Sequence, residues 1–190
     1  MRGLEGPRLS GGTAKGRQLF SVPGLDVRPA LARMRTSVFE ILRSRLDGAR
    51  VADLFAGTGC LGLEALSRGA ARAVFCDVDR RSLDCIEKNV KRLGFADRSD
   101  IRNTDAFTAA ERLGPCEIVF VDPPYDFYKT RPADLRNLIG TLLQKTLSGP
   151  ESLILSEHRL HEGLGSLEGA RIVDERSYGT TIVTFYAPTL

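Results

Sequence analysis

Four consecutive residues, Asp122-Pro123-Pro124-Tyr125, follow the apolar run 118–121 and combine groups that could hold a reacting amine. The apolar, β-branched run predicts a buried strand, and ligands of open α/β sheets bind beyond the carboxyl ends of such strands. Because the prolines lack N–H donors, the segment offers a carboxylate and carbonyl oxygens as acceptors, beside an aromatic ring. This set suits an exocyclic amine on a flat ring. The alternative is a turn that merely ends a strand.

A glycine turn upstream predicts a nucleoside-binding half of the site. Residues 50–55, which end in Phe55, are typical of a short strand, and Gly57, Gly59 and Gly62 then match the G-x-G-x-x-G spacing. These glycines allow a tight turn, close approach of a ligand to the backbone and close helix–strand packing. The spacing alone does not separate a nicotinamide dinucleotide from S-adenosylmethionine.

Two acids refine that prediction. Asp77 ends the next strand, twenty positions beyond Gly57, where an acid can bind ribose hydroxyls, although Asp79 is an equally exposed candidate. Asp53 precedes the glycine turn and favours S-adenosylmethionine, because a carboxylate there attracts an α-ammonium group and repels a pyrophosphate. The alternatives for Asp53 are a helix N-cap or a solvated strand end.

Together these residues resemble the class I S-adenosylmethionine-dependent methyltransferases that modify exocyclic amines of nucleobases. The segments 8–17, 28–42 and 53–70 resemble one family, the RsmD-type enzymes, which methylate a guanine amine in bacterial 16S ribosomal RNA. The likeness covers nearly the whole chain. It departs from the family pattern around residues 30–36, in the expected RNA-facing segment, and this leaves the modified nucleotide open.

The resemblance implies roles for residues that the motifs alone do not explain. After the third strand, Asp105 would accept a hydrogen bond from the adenine amine and the neighbouring backbone at Ala106 would reach the ring, or Asp105 caps the next helix instead. The expected catalytic residues are Asp122, Pro123, Pro124 and Tyr125. The expected cofactor-binding residues are Asp53, Phe55, Gly57, Gly59, Gly62, Asp77, Asp105 and Ala106. No metal is expected, since Glu157, His158, His161 and Glu162 fit a solvated strand end better than a metal site.

Charge is concentrated in the N-terminal quarter of the chain. Residues 1–50 hold ten Lys and Arg against four Asp and Glu, a net charge of +6, whereas the whole chain carries +3. Nine of the ten cations are arginine, which pairs with phosphate through a planar fork, so we expect an RNA partner. The alternative is a solvated helix face. The predicted RNA-binding residues are Arg8, Arg17, Arg28, Arg33 and Arg35.

The order of elements predicts an α/β, Rossmann-like class I methyltransferase fold. Strands near 50–55, 72–77, 99–103, 117–121 and 152–157 alternate with helices, which indicates a parallel sheet. A final hairpin predicts a seven-stranded, mostly parallel sheet with a C-terminal antiparallel strand. We expect residues 1–48 to form a small basic extension of hairpin and helix beside the active-site mouth. Residues 49–190 would form the methyltransferase domain, and the two parts one compact unit.

The sequence therefore predicts methyl transfer from S-adenosylmethionine to a guanine N2 of 16S ribosomal RNA, within an assembling small ribosomal subunit. The nearest alternative is an adenine-amine methyltransferase acting on DNA or RNA. A nicotinamide-dependent oxidoreductase and a non-catalytic RNA-binding protein are the other two. No apolar stretch approaches the roughly 18 residues of a membrane span, and we expect a cytoplasmic protein with no membrane partner.

Overall fold

The computed structural model describes residues 5–22 and 29–189, in which strands and helices largely alternate. The strands are β1 (Glu5–Arg8), β2 (Gln18–Phe20), β3 (Arg50–Asp53), β4 (Arg72–Asp77), β5 (Ser99–Asn103), β6 (Ile118–Val121), β7 (Leu153–Arg159), β8 (Ala170–Tyr178) and β9 (Thr181–Pro188). The helices are α1 (Pro29–Ile41), α2 (Cys60–Ser67), α3 (Arg80–Leu93), α4 (Ala106–Ala110), α5 (Phe127–Thr130) and α6 (Pro132–Lys145). No helix in the described ranges is long and apolar enough to cross a membrane.

Seven strands form one sheet in the order β5-β4-β3-β6-β7-β9-β8. Strands β3 to β7 are parallel, and β9 inserts antiparallel between β7 and β8. The predicted fold is therefore confirmed, including the C-terminal antiparallel hairpin. Because the chain moves outward from β3 to β5 and then returns to β6, the crevice between β3 and β6 is the topological switch point, where α/β sheets bind ligands.

Local signals explain where the helices around this crevice begin and pack. Asp79 caps α3 by accepting a hydrogen bond from the Arg81 backbone N–H at 2.9 Å, and Gly94 ends the helix in the left-handed region. Helix α2 lies close to the sheet, since a Cβ atom on Gly62 would stand 2.3 Å from the Phe75 ring. The structure adds α5, a one-turn helix after Tyr125 that the sequence did not predict.

The predicted N-terminal hairpin and helix pack on the seven-stranded sheet and share its core. Leu9, Leu19, Val38 and Phe39 are buried with side chains of β3, β4 and β6 in one cluster. Helix α1 ends at Ile41, and a 3₁₀ turn follows at Arg43–Arg45. The division at residue 48 remains a prediction about roles.

Only one end of the hairpin lies beside the expected active-site mouth. At that end Asn89 donates to the carbonyl oxygens of Phe20 at 3.2 Å and of Thr58, in the glycine turn, at 3.0 Å. The hairpin loop lies toward the amino ends of the parallel strands. There Thr13 N–H donates to the Ser67 carbonyl, at the end of α2, at 2.7 Å. The hairpin therefore runs along α2 and α3 with one end beside the expected mouth, and the role of the extension at that mouth stays a prediction.

Candidate active site

The tetrapeptide Asp122-Pro123-Pro124-Tyr125 lies directly at the carboxyl end of β6. Asp122 and Tyr125 are half-buried, Pro123 is buried and Pro124 is exposed. The Pro124 carbonyl accepts a hydrogen bond from Phe127 N–H at 2.9 Å, so the segment turns at once into α5. The strand, the prolines and the short helix together hold the Asp122 carboxylate at the sheet edge.

Three carboxylates lie at the ends of the adjacent strands β3, β6 and β7. Burial raises the pKa of Asp53 to about 7, and it raises the pKa values of Asp122 and Glu157. The negative charges of Glu157 and Asp53 raise the pKa of Asp122 further. Carboxylates whose pKa values are raised by burial and by neighbouring negative charges are typical of functional sites.

The sequence did not predict Glu157 as part of this cluster. It was expected at a solvated strand end, but it is 8% exposed, and its neighbour His158 is 4% exposed. The reason is that β7 extends to Arg159 and pairs with β9, placing Glu157 opposite Val183. The Tyr125 hydroxyl donates to Glu157 Oε1 at 2.9 Å and links this residue to the tetrapeptide.

The cofactor half of the site is built around the glycine turn. Asp53 Oδ2 accepts a hydrogen bond from Gly62 N–H at 3.2 Å, while Asp53 Oδ1 is buried and has no hydrogen-bond partner in the described part of the chain. A buried carboxylate oxygen in this state suits an ammonium group, which would supply the missing donor. The residues present therefore fit the amino-acid end of S-adenosylmethionine.

Asp77 is better placed than Asp79 to bind a ribose. Its Oδ2 accepts a hydrogen bond from Gly57 N–H and its Oδ1 one from Asp79 N–H, both at 2.8 Å, so the carboxylate is fixed at the tip of β4. Asp79 is already engaged by the backbone and the guanidinium of Arg81. Of the two acids, only Asp77 is also tied to the glycine turn.

The adenine end of the expected cofactor site is partly formed. Asp105 Oδ1 accepts a hydrogen bond from Thr108 N–H at 2.9 Å, so it caps α4, and this contact lowers its pKa. Ala106 is buried behind it. Val78, which the sequence argument missed, is 67% exposed between Asp77 and Asp79. An apolar residue between two acids at a strand tip was the available signal, since it has no core to fill there.

Aromatic rings surround the crevice, and two arginines cover them. Phe55 contacts Phe107 and Phe127 edge to face, with ring centroids 6.5 and 6.2 Å away, and the Arg131 guanidinium lies 4.4 Å from the Phe107 centroid. The Arg159 guanidinium lies 4.7 Å from the centroid of the Tyr125 ring. A base that stacks on Tyr125 must therefore use the other face of the ring or replace Arg159.

The predicted RNA-binding arginines are not all at the surface. Arg8, Arg17 and Arg33 are exposed, and Arg28 lies outside the described residues. Arg35 is 6% exposed; it donates to the Arg8 carbonyl at 2.6 Å and its Nε lies 3.6 Å from Glu64 Oε2. As a correction, Arg35 is removed from the RNA-binding set, because its guanidinium is used inside the protein. Across the described ranges, no three His, Cys, Asp or Glu side chains converge on a metal position.

Comparison with known proteins agrees with this geometry. A family model described as "Conserved hypothetical protein 95" matches residues 7–187. The Escherichia coli K12 protein named "Ribosomal RNA small subunit methyltransferase D" is 35% identical over 158 residues, covering 83% of this chain and 77% of the relative. The chain belongs to the RsmD-type methyltransferase family.

Other relatives resemble this RsmD-type chain over most of its length. The Bacillus subtilis protein named "Putative rRNA methyltransferase YlbH" is 33% identical over 187 residues, which cover 94% of this chain and 97% of that protein. A solved structure described as "Putative methyltransferase yhhF from Escherichia coli" superposes with a TM-score of 0.82 at 32% identity, covering 97% of this chain and 98% of that one. The resemblance found in the sequence is thus confirmed.

Proposed function

We propose that this RsmD-type methyltransferase transfers a methyl group from S-adenosylmethionine to the exocyclic N2 amine of a guanine in 16S ribosomal RNA. The observation that carries the proposal is the placement of Asp122-Pro123-Pro124-Tyr125 on the strand next to β3, across the switch point from Asp53. The two halves of the site thus face one crevice. The name of the Escherichia coli relative supports small-subunit ribosomal RNA as the substrate.

The cofactor half binds and orients the methyl donor. Asp53 Oδ1 would hold the α-ammonium group, Asp77 the ribose hydroxyls, and Asp105 with the Ala106 backbone the adenine edge, between Val78 and Phe107. When bound, S-adenosylmethionine supplies an electrophilic methyl group on a sulfonium. The chain's residues contribute position, because a fixed in-line approach of amine and methyl removes most of the entropy cost of the reaction.

The target half holds the amine. Asp122 and the Pro123 carbonyl would accept its two hydrogens, which localises the nitrogen lone pair toward the methyl group as positive charge develops. One proton must then leave the nitrogen. Asp122 can take it, because burial and neighbouring carboxylates raise its pKa toward that of a useful base. The Tyr125 ring would stack on the flipped base during this step.

The arginines suggest a large substrate. Arg33 is exposed on α1, whose next residues line the Asp122 side of the crevice. Arg17 donates to the Arg92 carbonyl, in the last turn of α3. Because α3 has 14 residues and is therefore about 20 Å long, Arg17 lies at the end of α3 that is far from Asp77 and Asp79. We propose that both contact RNA, which favours a folded RNA or an assembling subunit over a short single strand.

Two of the alternatives are not carried further. A nicotinamide-dependent oxidoreductase and a non-catalytic binding protein disagree with the family, whose named members are methyltransferases. The adenine-amine alternative remains, because the acceptors around Asp122 could hold either amine.

The test is a map of modified nucleosides in ribosomal RNA from cells with and without this gene, followed by methyl transfer in vitro with the purified protein. We expect one N2-methylguanosine to disappear from 16S ribosomal RNA and to return on incubation with the protein and S-adenosylmethionine. Loss of an N6-methyladenosine instead would establish the adenine alternative. An unchanged map, with no transfer in vitro, would refute both.

A further inference from the structure

A small cavity lies between α1 and the ends of β6 and β7, on the target side of the crevice. Its volume is about 20 Å³, and Met34 and Val38 form its apolar wall. Asp122 and Glu157 both line it, although they come from different strands. The space holds little more than one water molecule. It can therefore receive the polar edge atoms of a base but not a whole purine.

The second carboxylate at this cavity is held in place as an acceptor. The Tyr125 hydroxyl donates a hydrogen bond to Glu157 Oε1 at 2.9 Å. Burial raises the pKa of Glu157, and this hydrogen bond offsets part of that rise because it favours the ionised carboxylate. Arg35 lines the same cavity and adds a positive charge. The donor at Oε1 fixes the orientation of the carboxylate while Oε2 remains for a further partner.

Guanine and adenine differ at the position next to the reacting amine. On guanine the ring nitrogen N1 carries a hydrogen, so N1 and the N2 amine present adjacent donors. On adenine the ring nitrogen beside the amine is bare and presents a lone pair. Two neighbouring carboxylates accept from the first edge, whereas the second would place a lone pair against a carboxylate oxygen. A single acceptor such as Asp122 does not distinguish the two bases.

We propose that Glu157 is a specificity-determining residue, which selects guanine by accepting its N1–H while Asp122 and the Pro123 carbonyl hold its N2 amine. This inference rests on the proposed function. It assigns Glu157 a direct contact with the base, beyond its contact with Tyr125. Removing the Glu157 charge should weaken transfer to guanine and spare an analogue that has the amine but lacks the N1 hydrogen.

The analogue is 2-aminopurine, which keeps the 2-amino group and has a bare N1. A ribosomal RNA fragment carrying either guanine or 2-aminopurine at the mapped target, free or assembled into subunit particles, is compared in steady-state methyl transfer. For Glu157→Gln we expect kcat/KM on guanine to fall roughly 10- to 100-fold, the scale of one hydrogen bond to a charged group. On 2-aminopurine we expect no decrease and a rise of up to about the same factor, since the Gln amide can donate to the bare N1 whereas the carboxylate faces its lone pair.

Two variants separate this contact from indirect effects. Tyr125→Phe removes the hydroxyl that orients Glu157 but keeps the carboxylate, so it should lower transfer to guanine by a smaller factor than Glu157→Gln does and leave transfer to 2-aminopurine nearly unchanged. Glu162→Gln removes a carboxylate after β7 that pairs with Lys129 at 3.0 Å, and it should change neither rate. Thermal melting and S-adenosylmethionine binding are measured for every variant to check that it is folded. Glu157→Asp is a second variant, which conserves the charge but shortens the side chain, and it should also reduce the preference for guanine.

The outcomes separate the inference from the function on which it rests. If Glu157→Gln and Glu157→Asp lower the rates on guanine and 2-aminopurine equally, Glu157 acts only through Tyr125 and the inference is wrong, while guanine transfer by the wild type still supports the proposed function. If the wild type methylates an adenine amine or no base in the fragment or the particle, the proposed function fails first.

Discussion

Replacing Asp122 with alanine tests the central claim about the target half of the site. Asp122 is half-buried, and its charge is opposed by Asp53 and Glu157, so its removal relieves repulsion and should leave the fold at least as stable. The catalytic effect should be large. Loss of one of two preorganised acceptors costs about 3 kcal/mol in the transition state, so transfer should fall at least about a hundredfold.

The assay is single-turnover transfer of labelled methyl groups to ribosomal RNA or small subunits from cells that lack the gene. Calorimetry should show S-adenosylmethionine binding within about a factor of three of the wild type, because Asp122 lies outside the cofactor half. Asp122→Asn, which keeps one acceptor oxygen, should lose less than Asp122→Ala. A near wild-type rate for Asp122→Ala on the particle would refute the role of Asp122 and return the tetrapeptide to a strand-ending turn.

Three further predictions concern cofactor binding at Asp53, the aromatic ring of Tyr125, and the exposed arginines Arg33 and Arg17. Asp53→Asn should weaken S-adenosylmethionine binding roughly tenfold or more but leave methylthioadenosine, which lacks the ammonium group, unaffected. Because burial raises the Asp53 pKa to about 7 and the ionised form binds the ammonium, wild-type affinity should rise with pH through that value, and the variant should lose this rise in calorimetry. Tyr125→Ala should lower the affinity for RNA by roughly 1–3 kcal/mol if stacking holds the base, and Tyr125→Phe by much less; equal losses would exclude stacking. Arg33→Ala should weaken RNA binding and reduce its salt slope by about one unit without changing cofactor affinity, and Arg17→Ala should do so only on long or assembled RNA; unchanged slopes would identify both as solvated side chains.

Local patterns predicted the parts of the site that depend on one segment of chain. The run 118–121 and the spacing of Gly57, Gly59 and Gly62 give a buried strand and a turn whatever surrounds them, and the structure has both. The burial of Glu157 depends on how far β7 and β9 pair with each other, and the residues next to Glu157 in the sequence do not show this. Helical spacing on α1 likewise could not show that Arg35 faces the buried Glu64, since that contact requires the position of α2.

The buried Glu64 explains how a basic extension can belong to the same folded unit as the cofactor site. Its side chain is fully buried in α2, and it accepts hydrogen bonds from Ser10 N–H, the Ser10 hydroxyl and Arg68 Nε, each at 2.8 Å. Without the hairpin, the Glu64 carboxylate would lose both hydrogen bonds from Ser10. An uncompensated buried charge costs about 3–5 kcal/mol. Helix α2 begins at the glycine turn that Asp53 and Asp77 hold, so the hairpin supports the helix that positions the cofactor. We therefore propose that residues 1–48 and 49–190 differ in role but fold together. RNA that binds the extension would then act on α2, the helix that also positions the methyl donor.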